Sequence, residues 1–255
     1  MALEIESFIC RSDNYAVLLH DTESGQTASI DAPEAAAIES ALDRRGWTLT
    51  HILCTHHHAD HTDGNAALMD RHGAELVAPA GEAQRIARID RTVRGGDAIE
   101  VCGRRVEVID TPGHTSGHIA YHIPSEDWLF AADCLFSLGC GRVFEGTHEE
   151  MHASLERLAA LPGATRLHCG HEYTASNARF ALSVDPDNET LRERAEEVER
   201  LRADDRPTLP VTLERELRTN PFLRCDDEGI ADRLGLRGAA PAEVFAELRR
   251  RKDAF

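Results

Sequence analysis

The chain has 255 residues, of which 42% are hydrophobic and 29% charged, so it is long enough to bury one large core or two smaller ones. Its formal charge of −17 excludes a general basic field for nucleic acid or anionic membranes. We find no apolar run of about 18 residues, no signal-peptide pattern and no C-x-x-C pair among seven cysteines. We therefore expect a protein of the reducing cytoplasm with no nucleic-acid or membrane partner.

The first part of the chain alternates strand-like and helix-like stretches. A helix is predicted over 33–45, with Pro33 in its first turn. Short branched and apolar runs predict four strands, over residues 5–9, 16–20, 28–31 and 51–54.

A second run of strands follows and leads to a helix with a clear start signal. Thr147 and Glu150 have the spacing of a capping box, ahead of a helix that carries Met151 and Leu155 and ends near Pro162. The predicted strands are 75–78, 99–101, 106–109, 119–123, 128–131 and 166–169.

After Tyr173 the sequence becomes charged, helical and poor in strands. Helices are predicted over 174–183 and 189–202, the latter with a solvated charged face, and from Pro241 onward. We therefore predict an α/β fold with a metal-binding domain over 1–173 and an all-helical domain over 174–255.

Residues 55–61 read Thr-His-His-His-Ala-Asp-His and contain four side chains suited to a metal: His56, His58, Asp60 and His61. This heptad follows the strand predicted over 51–54. Crowded imidazoles and a carboxylate are costly unless a cation neutralises them, so a metal site explains the heptad better than packing does.

The heptad also has a predicted geometry. In extended backbone, alternate side chains share a face, so His56, His58 and Asp60 are expected on one side and His57 on the other. Thr62 and Asp63 are expected to cap the helix that follows.

Three further donors stand where predicted strands end. His114 follows a Thr-Pro-Gly turn, Asp133 follows the strand over 128–131, and His171 follows the strand over 166–169. Five histidines and two aspartates suffice for two ions if Asp133 bridges them and leaves room for a bridging water.

These motifs resemble the metallo-β-lactamase superfamily, whose fold is an αββα sandwich with metals at one edge of two facing sheets. The resemblance is strongest to its glyoxalase II branch and extends from the heptad to the last residues. Its motifs are the heptad, Thr-Pro-Gly-His-Thr-Ser-Gly-His at 111–118, Gly-Cys-Gly-Arg-Val-Phe-Glu-Gly at 139–146, Cys-Gly-His-Glu-Tyr-Thr at 169–174, Asn-Pro-Phe at 220–222 and Arg-Arg-Arg-Lys-Asp at 249–253.

The resemblance implies two metal ions with distinct ligand sets. One ion takes His56, His58 and His114. The other takes Asp60, His61 and His171, with Asp133 bridging. Zinc is the expected metal, and iron and manganese suit the same donors.

The resemblance also implies a glutathione site with five contacts: Arg142, Phe144, Tyr173, Arg249 and Lys252. At the first two of these positions the family more often has Lys and Tyr. Arg142 should keep the positive charge of Lys, whereas Phe144 lacks the hydroxyl of Tyr. From spacing alone, the C-terminal basic run could equally be a solvated helix end that favours the helix dipole.

The implied activity is hydrolysis of S-(2-hydroxyacyl)glutathione thioesters. S-D-lactoylglutathione would give glutathione and D-lactate, the second step of methylglyoxal detoxification. Asp60 and Asp133 act through the metals, which keep a net positive charge and activate a bridging hydroxide at neutral pH. The thiol leaves without a general acid because its free pKa is about 8.5.

Other readings remain open from the sequence. A lactonase or β-lactamase of the same superfamily would leave the basic C-terminal run unused. A persulfide dioxygenase is a mononuclear iron relative that would consume oxygen, and a metal-storage protein would bind metal without turnover. We expect a monomer. His118 is expected to have a core or supporting role rather than to ligate, and a supporting role for His57 is left open. Cys134 and Cys140 are expected to take no part in the chemistry.

Overall fold

The computed structural model describes residues 3–255, which form two compact units. The N-terminal unit contains the residues up to Asp110 together with Thr115–Phe130. The C-terminal unit contains Thr111–His114 and Ala131–Phe255. The domain boundary at residue 173 stays a prediction.

The first sheet of the N-terminal unit has six strands in chain order. Its first three strands are antiparallel neighbours, and the remaining pairings are parallel. The strands are β1 (Leu3–Cys10), β2 (Asn14–Asp21), β3 (Thr27–Ile30), β4 (His51–Leu53), β5 (Glu75–Pro79) and β6 (Arg91–Val93).

Four strands of the second sheet pair antiparallel in this unit and also follow chain order. They are β7 (Ala98–Val101), β8 (Arg104–Asp110), β9 (Ile119–Ile123) and β10 (Trp128–Ala132). Buried side chains from both sheets form one apolar cluster, which includes Leu19, Leu53, Val108, Tyr121 and Phe130. The strands predicted for both sheets are therefore confirmed to within a few residues, and β6 was missed.

Three helices belong to the N-terminal unit: α1 (Ala35–Arg45), α2 (Ala59–Thr62) and α3 (Asn65–His72). A second apolar cluster joins Ile38 and Leu42 of α1 and Leu68 of α3 to the other face of the first sheet. The first sheet therefore buries apolar side chains on both of its faces, and α1 and α3 each bury one face against it, as the hydrophobic effect favours.

The helix predicted to begin at Pro33 begins two residues later. The Ala32 amide donates to the His61 carbonyl at 2.8 Å, and the Ala32 carbonyl accepts from Gly64 at 2.8 Å. These bonds hold the chain before Glu34 in a non-helical path, so Pro33 lies outside the helix.

The predicted helix cap at Thr62 and Asp63 is wrong. Thr62 is already helical in α2, where its hydroxyl donates to the His58 carbonyl at 3.0 Å, and Asp63 pairs with Arg11 at 2.6 Å. The next helix begins at Asn65 after Gly64, without a side-chain cap.

The C-terminal unit contains short strands and six helices. β11 pairs with β12 and β13 with β14, both antiparallel. The strands are β11 (Leu135–Phe136), β12 (Gly139–Cys140), β13 (Arg166–Cys169) and β14 (Val211–Thr212). The helices are α4 (His148–Ala159), α5 (Thr174–Val184), α6 (Glu189–Ala203), α7 (Leu213–Thr219), α8 (Glu228–Leu234) and α9 (Pro241–Ala254).

The predicted start of α4 is confirmed, because both bonds of the Thr147–Glu150 capping box are present. α9 begins at Pro241 as predicted. The solvated face predicted for α6 holds for only part of the helix, since Leu191, Arg194 and Val198 are buried. Within residues 3–255, no helix is both long and apolar enough to cross a membrane.

Candidate metal centre

Only Cys54 separates the heptad from β4, and the imidazoles of the heptad are in contact. His56 is buried, and its Nε2 lies 3.1 Å from Nδ1 of His58, so these two side chains share a side as predicted. The extended pattern ends at His58 because Ala59 begins α2. Asp60 therefore reaches the cluster from a helical turn, not from an extended strand, with its carboxylate 3.7 Å from His61 Nε2.

A buried carboxylate that the sequence analysis missed holds the heptad in place. Asp31 accepts hydrogen bonds from the Thr55 amide at 2.7 Å and the Thr55 hydroxyl at 2.8 Å. Its other contact is Nδ1 of His61 at 2.8 Å, which directs His61 Nε2 away from it. Carboxylates commonly orient metal-ligating histidines in this way. Asp31 has a φ of +56°, a backbone conformation that non-glycine residues adopt only under constraint.

Asn14 plays a similar part for Asp60. Its side-chain amide donates to the Asp60 carbonyl at 3.0 Å and to Oδ2 of the same residue at 3.2 Å. One oxygen of the Asp60 carboxylate is therefore oriented by the protein before any ligand binds.

The C-terminal unit brings together the other three predicted donors. Oδ2 of Asp133 lies 3.4 Å from Nε2 of His114 and 3.5 Å from Nε2 of His171. Nδ1 of His114 lies 2.9 Å from the Arg142 carbonyl, which can only accept. His114 therefore carries its proton on Nδ1 and presents an Nε2 lone pair on the side of Asp133.

The backbone around Asp133 is shaped for this position. Ala132 has a φ of +40°, and its carbonyl accepts from the Gly170 amide at 3.0 Å, which places Asp133 beside His171. A Cβ on Gly141 would stand 1.9 Å from the Asp133 carbonyl oxygen, so only glycine fits there.

Two of the predicted glutathione contacts flank these donors. Tyr173 stacks on His171 with ring centroids 4.8 Å apart and planes at 2°. The Phe144 ring lies 5.2 Å from that of His114 and is 61% exposed. Both rings thus present surface beside metal-type donors.

The three predicted basic contacts differ in their surroundings. Arg142 is exposed. Arg249 is buried, donates to the Cys140 carbonyl at 2.9 Å and pairs with Asp253 at 2.9 Å. Lys252 is half-buried and donates to the Ser176 carbonyl at 3.3 Å.

The surroundings of Lys252 destabilise its positive charge. Burial, followed by the nearby charges of Arg249, Arg179 and Arg142, lowers the pKa of Lys252 to about 8. A cation so placed gains from an anionic ligand, because the ligand replaces lost hydration and offsets the repulsion.

Buried thiols near the centre are poor nucleophiles. Burial raises the pKa of the Cys140 thiol to about 11 and raises the pKa of Cys134 still further. A protonated thiol is neither a nucleophile nor a strong ligand. That these cysteines take no part in the chemistry stays a prediction.

The donors fit divalent metal ions. Each unit gathers imidazoles and carboxylates within a few ångströms of one another, while a ring nitrogen of His61 and of His114 is held by a protein oxygen. This is the arrangement in which histidine ligands are fixed in one tautomer.

Comparison with known proteins first defines the class. Residues 19–171 match the metallo-beta-lactamase superfamily, and residues 172–255 match the hydroxyacylglutathione hydrolase C-terminus. The structure of ETHE1 from Myxococcus xanthus has a TM-score of 0.67 at 26% identity, covering 100% of this chain and 99% of that one. A metallo-β-lactamase from Staphylococcus aureus has a TM-score of 0.68 at 21% identity, covering 98% and 71%. These matches confirm the αββα metallo-β-lactamase fold with a C-terminal helical region.

Relatives with similar sequences then identify the family within this superfamily. The hydroxyacylglutathione hydrolase of Brucella ovis is 58% identical over 253 residues, which is 99% of this chain and 98% of the relative, and that of Brucella suis biovar 1 matches equally. The chain belongs to the hydroxyacylglutathione hydrolase family.

Proposed function

We propose that this protein hydrolyses S-(2-hydroxyacyl)glutathione thioesters, with S-D-lactoylglutathione as the principal substrate and glutathione and D-lactate as products. Its full-length similarity to hydroxyacylglutathione hydrolases supports this assignment. The structural observation that carries it is the Asp133 carboxylate, with one oxygen close to both His114 and His171. A carboxylate in that position suits a bridge between two ions.

We further propose the ligand sets of a dinuclear centre, with zinc as the metal. His56, His58 and His114 would hold one ion, Asp60, His61 and His171 would hold the other, and Asp133 would serve both. When bound, such ions supply an activated water at neutral pH and polarise a carbonyl.

The protein's own groups then have defined tasks. Asp31 fixes the tautomer of His61, and the Arg142 carbonyl fixes that of His114, so both rings would offer Nε2 to an ion. Asn14 holds the Asp60 carboxylate in one orientation. No general acid is needed, because the departing thiol has a pKa of about 8.5 and leaves as a thiolate.

The glutathione moiety is proposed to lie along Arg142, Phe144, Tyr173 and Lys252. Phe144 and Tyr173 offer ring surface beside the donors, and Lys252 and Arg142 offer positive charge for carboxylates. Arg249 completes the predicted set, but its guanidinium already has protein partners. We propose that it contributes charge and holds the Cys140 backbone in place.

Metal analysis and hydrolysis assays on one purified sample test the assignment. We expect two metal ions per chain and fast hydrolysis of S-D-lactoylglutathione, with little action on a lactone or a β-lactam and no oxygen consumption. A metal-loaded protein that leaves the thioester intact would contradict the proposed substrate. Oxygen uptake would then indicate a dioxygenase, and lactone hydrolysis would indicate a lactonase.

The pH dependence of substrate affinity tests the role of Lys252. Because its pKa is lowered to about 8, its charge is lost on raising the pH through that value, well before an ordinary lysine is neutralised. We expect KM for S-D-lactoylglutathione to rise above pH 8 in the wild type. Lys252→Arg keeps its charge, so its KM should stay flat over the same range. Matching KM profiles for the two proteins would exclude Lys252 from substrate binding.

We also propose a cytoplasmic, monomeric protein. All seven cysteines are free and buried, which suits a reducing compartment. Light scattering on the purified protein tests the monomeric state.

A further inference from the structure

Glu82 is a buried acidic side chain in the N-terminal unit that neither the motifs nor the proposed ligand sets include. It ends the 3₁₀ turn Ala80–Glu82, which follows β5, and its side chain is 0% exposed. A carboxylate removed from water is costly unless its oxygens accept hydrogen bonds. The partners of Glu82 therefore show what this position requires.

One oxygen of Glu82 holds the turn that follows His114. Oε1 accepts from the Thr115 hydroxyl at 2.6 Å and from the Gly117 amide at 3.0 Å. The backbones also touch. A Cβ on Gly117 would stand 2.7 Å from the Gly81 carbonyl carbon, so this turn lies directly against the turn that carries Glu82.

The other oxygen holds the heptad. Oε2 accepts a hydrogen bond from Nδ1 of His57, the residue between His56 and His58. The Arg85 guanidinium lies 3.2 Å from Nε2 and 3.4 Å from Nδ1 of the same ring. Because a carboxylate only accepts, Nδ1 of His57 carries a proton toward Glu82. Glu82 thereby fixes the orientation of the His57 ring.

Glu82 thus connects two segments that are distant in sequence and that each adjoin proposed ligands. His57 has a ligand on either side in the chain, and Thr115 directly follows a third. A shift of either segment moves donors whose spacing a metal ion requires.

We propose that Glu82 is a positioning residue that sets the spacing of the metal ligands by fixing the heptad and the 115–117 turn to a single carboxylate. This inference rests on the proposed dinuclear site. It assigns no substrate contact to Glu82.

Metal affinity is the direct test, measured by competition with a chelator on refolded and metal-reloaded protein. Glu82→Gln keeps the size but turns an amide N–H toward the protonated Nδ1 of His57. Thr115→Val removes only the hydroxyl bond on the other side. Glu100→Gln, on an exposed residue of β7, is the matched control.

We expect Glu82→Gln to weaken metal binding by about 10- to 100-fold, and Thr115→Val to weaken it less. KM for the thioester should stay near the wild-type value once the protein is saturated with metal. Thermal unfolding of the metal-free proteins separates the two possible roles of Glu82. A positioning role lowers metal affinity more than apoprotein stability, whereas a purely structural role lowers stability alone.

Wild-type metal affinity in folded Glu82→Gln would overturn the proposal. If that variant does not fold, the same comparison on Thr115→Val decides. Failure of the proposed function is recognised separately, because a wild-type protein that binds metal but does not cleave the thioester still allows the metal affinities to be compared.

Discussion

Asp133→Ala is expected to abolish thioester hydrolysis and the pairing of two metal ions. Its Oδ2 is close to Nε2 of both His114 and His171, and the substitution removes the only carboxylate that faces both of these rings among the proposed ligands. Loss of a bridging ligand should lower kcat by about a thousandfold or more, since positioned ions supply several kcal/mol of transition-state stabilisation. Turnover with S-D-lactoylglutathione and metal content per chain measure the two effects on one sample.

Asp226→Ala is the matched control for this prediction, because Asp226 is exposed in the same unit. It should retain two ions and wild-type turnover. Asp133→Asn adds a sharper comparison, since it preserves size and one oxygen but removes the charge. Near-normal turnover by a metal-replete Asp133 variant would contradict the proposed centre.

The proposed ligands could be predicted from the sequence because their signals are local. The heptad concentrates four donors in seven residues, and His114, Asp133 and His171 each follow a predicted strand. The sheet that presents the heptad follows from short apolar runs, which strand formation requires.

The residues that orient those ligands could not be found in the same way. Asp31 reaches Thr55 across 24 positions of the chain, and Glu82 reaches His57 across 25. Only the pairing of β3 with β4 and of β4 with β5 brings these segments together. A carboxylate at the end of one parallel strand, next to a strand that ends in ligands, is the signal that would have found Asp31.

The wrong helix cap and the two strands that were not predicted also have physical reasons. Thr62 and Asp63 are good capping residues by type, but each already has a partner elsewhere. The strands β11 and β12 contain two residues each, too few for any periodic pattern.

A hairpin built from those two strands connects the proposed metal ligand Asp133 to the proposed glutathione contact Arg142. β11 begins two residues after Asp133, and β12 ends two residues before Arg142. Glu216 of α7 holds the hairpin turn: its carboxylate accepts from the Ser137 hydroxyl and the Leu138 amide, each at 2.7 Å.

Asn220 strengthens this attachment from the end of α7. Its side-chain amide donates to the Phe136 carbonyl at 3.1 Å, to the Gly139 carbonyl at 3.0 Å and to Glu216 at 3.0 Å. Arg194 lies near the same group, with its guanidinium 3.5 Å from the Ser137 hydroxyl. This gives the Asn-Pro-Phe motif a physical role, because Asn220 caps the end of the hairpin.

Glu216→Ala is therefore expected to be the most destabilising single change in the C-terminal unit. It leaves the buried donors of Ser137 and Leu138 without their acceptor, removes one of the three acceptors of Asn220 and removes a charge near Arg194. Breaking a buried charged network of this kind costs about 3–5 kcal/mol. Urea unfolding of the metal-free protein measures the free energy of unfolding directly.

Glu214→Ala is the control, since Glu214 is exposed on the same helix and should change the free energy of unfolding little. Glu216→Gln should be milder than alanine, because it keeps an acceptor for one of the donors. Since the hairpin joins Asp133 to Arg142, the alanine variant should also lose metal and raise KM while it is still folded. Unchanged stability in Glu216→Ala would show that the hairpin is held by its own strand pairing and not by α7.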